Sequence, residues 1–146
     1  MAFRFALAAV LKHRESLEQR EYLALEKTQQ EILQTKAALH QCEERRSAAT
    51  RRREADLRRG VTSVHLQAAY GEEIALEGQG EKLRAQLRQL QLQWQNGLKA
   101  YELARRNREL LDELRIRQLG AYRREQAKRE QASLDEVFLS RRRRDH

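Results

Sequence analysis

The stretch ADLRRGVTSVHL, residues 55–66, decides how this chain folds. Arg58 and Arg59 place positive charge where a helix ends on unpaired carbonyls. Gly60 suits the left-handed conformation just past a helix. Thr62 or Ser63 can then cap a new one. The stretch therefore reads as a stop followed by a restart, with a turn at about residues 60–63. Working outward, it divides one coiled-coil domain, residues 1–146, into a first helix of about residues 3–59 and a longer second helix of about 64–139. Residues 140–146 form a basic tail expected to fray.

The halves on either side carry matching seams. In the first, Leu25, Ile32 and Leu39 are seven apart, with Thr28, Thr35 and Cys42 between them, which is the 3-4 spacing of a coiled coil. Upstream, Phe3, Val10 and Leu17 form another seven-residue series. The step from Leu17 to Leu25, passing Glu21, reads as a stutter. In the second half Leu76, Gly80, Leu83, Leu87, Leu90, Trp94, Gly97, Tyr101, Ala104, Arg108, Leu111, Arg115, Gln118 and Tyr122 follow 3-4 spacing without a break. A hairpin pairs positions whose numbers add to about 122. Leu25 then faces Gly97, Thr28 faces Trp94, Ile32 faces Leu90, Thr35 faces Leu87, Leu39 faces Leu83 and Cys42 faces Gly80. Large residues meet small ones, as interdigitated packing requires. The expected fold is all-α, an antiparallel two-helix coiled-coil hairpin. Its second helix has no internal partner after about Gly120.

Composition agrees. Of 146 residues, 36 % are charged, 5 % are aromatic and none is proline. So few large apolar side chains cannot wall the concave apolar pocket an enzyme usually needs. The net charge of +8 points to an acidic partner. However, Glu18, Glu21, Glu26, Glu31, Glu43 and Glu44 break any arginine stripe on the first helix, so no nucleic acid is expected. Lone Cys42 excludes an internal disulfide and favours a reducing compartment. The opening MAFRFALAAVLKHRE is too short in its apolar run for a secretion signal and shows no cleavage pattern. It reads as the first turns of the seam, with Phe3 facing about Leu119 and Val10 facing about Leu111 or Asp112.

No catalytic or metal constellation is legible, and no cofactor is expected. His13, His40, His65 and His146 share no ligand spacing, and Cys42 sits in the seam. Three other features stand out. Leu66, Tyr70 and Ile74 lie four apart beside the turn, off the Leu76 seam, opposite Arg51, Arg52 and Arg53. Leu134, Val137 and Phe138 are apolar residues on the overhang. Arg141 to Arg144 form a basic run suited to an acidic partner or a membrane surface.

Both ends resemble the FliJ family of bacterial flagellar export proteins. The start matches as Phe3-Arg4-Phe5, Leu7, Val10-Leu11, Arg14 and Glu15. The end matches as Tyr122, Glu130-Gln131 and Leu134-Asp135-Glu136. The resemblance implies a non-enzymatic component of flagellar type III protein export and motility. It would be cytoplasmic, held peripherally at the inner face of the inner membrane. It also implies a two-helix stalk similar to that of the gamma subunit of rotary ATP synthases. The implied partners are the hexameric export ATPase, the cytoplasmic domain of the membrane export gate, and export chaperones. By that analogy Phe3, Phe5, Leu7, Val10, Leu134, Asp135 and Phe138 would meet the ATPase ring, and Leu66, Tyr70, Ile74 and Leu76 the gate. The seam would rest on Leu25, Ile32, Leu39, Leu83, Leu87, Leu90, Trp94, Tyr101 and Leu111. The corresponding stalk of a virulence injectisome would share these features. A self-assembling structural coiled coil and, less favoured, a basic nucleic-acid-binding coiled coil are further alternatives.

Overall fold

The structure, a computed structural model, describes residues 2–145. Met1 and His146 lie outside the described residues, so the last histidine and the final residue of the tail are not considered further. Two helices account for nearly everything described: α1, Ala8–Arg59, and α2, Ser63–Arg144. The fold is an all-helical antiparallel hairpin whose second helix is the longer, 82 residues against 52.

The turn forms as its residues dictate. Among the described residues Gly60 alone has a positive φ, at 84°, a conformation a Cβ would penalise. Of the two capping candidates Thr62 serves: its hydroxyl accepts a hydrogen bond from the His65 amide at 3.2 Å, and its carbonyl accepts one from Leu66 at 3.1 Å.

Contacts group the chain into two compact units. One is Glu21–Tyr101, the turn and the helix lengths flanking it. The other combines Met1–Arg20 with Glu102–His146.

Within Glu21–Tyr101, the small-to-large matching is realised. A Cβ placed on Gly97 would stand 3.4 Å from Leu25 Cδ1, and one on Gly80 would stand 3.9 Å from Cys42 Sγ. The buried residues are Thr35, Cys42, Ala49, Gly80 and Leu90. The Cys42 thiol donates to the Leu76 carbonyl at 3.3 Å, so its polar hydrogen is satisfied in the seam. Tyr22 and Tyr101 pack with ring centroids 5.8 Å apart.

Within the terminal unit, Phe5 and Leu11 are buried. Here the sequence reading needs three corrections. First, α1 begins at Ala8, not at about residue 3. Residues 2–5 are non-helical, and the Ala8 amide bonds back to the Phe5 carbonyl at 3.1 Å. No capping residue precedes Ala8, and the buried Phe5 ring anchors this entry instead. An extended residue advances about 3.3 Å against 1.5 Å in a helix. Phe3 therefore reaches past Leu119 and packs on Tyr122, centroids 5.5 Å apart.

Second, the register before Leu25 differs. Covered positions run in 3-4 spacing from Leu25 back through Glu21, Glu18 and Arg14 to Leu11, with Leu17 also half-buried, while Val10 is exposed. Polar residues in seam positions hid this register. On α2 the covered residues after Leu111 are Asp112, Leu114, Leu119, Gly120, Tyr122 and Gln126. Arg115 and Gln118 point outward because the leucines, not the longer polar residues, take the inner positions.

Third, the basic tail is helical. Arg141 to Arg144 complete the last turn of α2, closed by a bond from the Asp145 amide to the Arg141 carbonyl at 3.1 Å. No glycine or proline interrupts the run, and its cations oppose the carbonyl ends.

Candidate partner-binding surfaces

Two ion pairs sit in seam positions, one in each unit. Arg108 grips Glu18 with two hydrogen bonds, Nε to Oε2 at 2.6 Å and Nη2 to Oε1 at 3.1 Å. This forked geometry holds both planes fixed. Arg53 Nε donates to Glu73 Oε1 at 2.8 Å, and Arg53 Nη1 donates to the Tyr70 hydroxyl at 3.0 Å. The Arg53 guanidinium also lies 4.6 Å from the centroid of the Tyr70 ring, a cation–π contact. The hydrogen bond to Glu73 raises the Arg53 pKa above its usual value, and that to Glu18 does the same for Arg108. Both arginines stay charged at any physiological pH.

The nine seam residues Leu25, Ile32, Leu39, Leu83, Leu87, Leu90, Trp94, Tyr101 and Leu111 are all half-buried or buried, Leu90 most deeply at 7 % exposure. They hold the helices together and leave little apolar surface for a partner.

Beside the turn, Leu66, Tyr70 and Ile74 do not form one exposed stripe. Residues four apart drift by about 40° around a helix at each step. Leu66 and Leu76 fall in the covered series Leu66, Ala69, Glu73, Leu76, so Leu66 belongs to the seam. Tyr70 stands at its edge under Arg53. Ile74 points out, 68 % exposed. Arg53 thus masks part of what the sequence offers as a docking face.

The terminal surfaces also separate. Phe5 is buried, Phe3 is half-buried against Tyr122, and Leu7 and Val10 remain exposed. Every residue from Ala127 to Asp145 is exposed, including Leu134, Val137, Phe138 and Leu139. The unpartnered stretch starts after Gln126, not Gly120, because Phe3 and its neighbours cover α2 farther along. Leu134 lies twelve residues beyond Tyr122, about 18 Å along the helix. Asp135 accepts a hydrogen bond from Gln131 at 3.2 Å and leaves Phe138 standing clear.

Sequence reasoning missed Glu18 and Arg53. In the sequence Glu18 figures only as an acid that breaks an arginine stripe, yet it stands across from seam residue Arg108 in almost the register of the leucines. Arg53 and Tyr70 obey that register too, so the signal was present in the pairing itself. Among the described residues no group of three His, Cys, Asp or Glu side chains is placed to hold a metal. No helix is long and apolar enough to cross a membrane.

Comparison with known proteins places this geometry in context. One family model, described as "Flagellar FliJ protein", matches residues 3–145. No curated protein and no solved structure matches the chain.

Proposed function

This chain belongs to the FliJ family, components of flagellar type III protein export, and from that premise we propose that it acts as a non-enzymatic stalk between the hexameric export ATPase and the membrane export gate. The observation that carries the reading is the family match over residues 3–145, joined to a hairpin whose turn and termini present unlike surfaces. The terminal unit offers exposed Leu7 and Val10 near buried Phe5, and a free helix length with Leu134, Asp135 and Phe138. These residues are assigned to the ATPase ring, with Phe3 holding the N-terminal segment in place. The region beside the turn offers Tyr70 and Ile74, positioned by seam residues Leu66 and Leu76. These are assigned to the cytoplasmic domain of the gate. Export chaperones are further proposed partners, and the protein would work at the cytoplasmic face of the inner membrane.

The seam leucines give stiffness and the exposed residues give recognition. A stiff element bound at two places can pass nucleotide-driven changes from one to the other without chemistry of its own. The test is a pull-down of the full chain with the export ATPase, with ATP turnover measured in parallel. Binding with altered turnover is expected, and Leu134→Ala with Phe138→Ala should weaken both. No binding and unchanged turnover would overturn the stalk reading.

A further inference from the structure

The stretch from Arg51 to His65 carries five arginines against two acids, Glu54 and Asp56. Its charges are not equally committed. Arg52 and Arg53 are engaged by Glu72 and Glu73, at 3.8 and 2.8 Å. Asp56 is engaged by His65 at 3.0 Å. Arg51, Arg58 and Arg59 have no ion pair or side-chain hydrogen bond among the described residues, and all three are exposed. Glu54 is the only acid of the stretch left without such a partner among the described residues.

Beside these arginines the turn shows apolar side chains to solvent. Every residue from Leu57 to His65 is exposed, Val64 by 74 %. The surface at the turn, formed by Gly60, Val61, Thr62 and His65, is open and nearly flat and carries no acidic side chain. A three-residue reversal whose members are all exposed is convex. It offers no enclosed cleft among the described residues, so its complement is a flat, deformable surface. Uncommitted guanidinium groups around small apolar side chains match the interfacial zone of an anionic bilayer. Arginine there meets lipid phosphates while apolar residues enter the acyl boundary. The overhang near Phe138 is less suited, because Asp135 and Glu136 interleave its apolar residues and Asp145 follows its arginines.

We propose that the turn is a lipid-docking tip: Leu57, Val61 and Val64 enter the headgroup region of an anionic bilayer while Arg51, Arg58 and Arg59 bind its phosphates. The argument rests on this surface alone and goes beyond the stalk reading. The experiment is co-flotation of the full chain with phosphatidylcholine vesicles, and with vesicles that also contain phosphatidylglycerol. Binding is expected only to the anionic vesicles and should weaken with salt. The variant Arg51→Glu, Arg58→Glu, Arg59→Glu should lower that binding about 100-fold, with helicity by circular dichroism unchanged. Val61→Ser with Val64→Ser should lower it several-fold without altering its salt dependence. Reversing Arg141 to Arg144 should leave it intact. Equal binding to both vesicles, no binding to either, or loss confined to the tail variant would overturn the proposal. Binding of the triple variant to the export ATPase, measured on the same sample, separates this outcome from failure of the stalk reading.

Discussion

The two units solve the same pairing problem with different residues. Glu21–Tyr101 packs small against large, with Gly97 under Leu25 and Gly80 under Cys42, and buries five residues. Among its described residues the terminal unit buries two, Phe5 and Leu11. It fixes its register through the Glu18–Arg108 fork and the Phe3–Tyr122 contact. Where both helices supply complementary volumes, apolar packing specifies the register. Where they do not, a charge pair and an aromatic pair do so. Beyond Gln126 neither device is available and α2 runs uncovered.

The comparison breaks most readily at Leu90. Leu90→Ala should lower the free energy of unfolding by about 3 kcal/mol, read from urea denaturation, since it truncates the best-covered leucine of this unit. A loss below 1 kcal/mol would mean that apolar packing does not govern this unit. Overfilling the same seam with Gly80→Leu, which must displace Cys42, should cost about 2 kcal/mol. In the terminal unit Arg108→Ala and Glu18→Ala should each cost about 1 kcal/mol. The double variant should cost little more than either single one, and simple additivity would show that the fork is idle. Gly78 has open space where a Cβ would sit, so Gly78→Ala should gain about 0.5–1 kcal/mol from helix propensity. Smallest of all, Phe138→Ala should change stability by less than about 0.5 kcal/mol, because its side chain is 65 % exposed.

Much of this was legible in the sequence. Arg58-Arg59-Gly60 and Thr62 located the turn, because capping chemistry is local. The leucine series gave the seam from Leu25 to Cys42 and from Leu76 to Leu111, because period is local too. The N-terminal entry was not legible. A run compatible with helix, Phe3 to Leu7, is non-helical because Phe3 and Phe5 gain more by packing than by continuing the helix. The candidate gate face was read too broadly for a related reason. Spacing placed Leu66, Tyr70 and Ile74 together, but only the opposite helix shows that Arg53 lies over Tyr70.

The sequence by itself determined that this chain makes two helices, where they reverse, and which face of each is apolar, since period and capping act within a few residues. Tertiary structure alone decided which charges are committed and which are free. Glu18 and Arg53 look like any solvated charge until the partner helix arrives within 3 Å. Arg51, Arg58 and Arg59 are left over only once those pairings are made. Pairing across the hairpin depends on distances between residues far apart in the chain, and no local pattern encodes them.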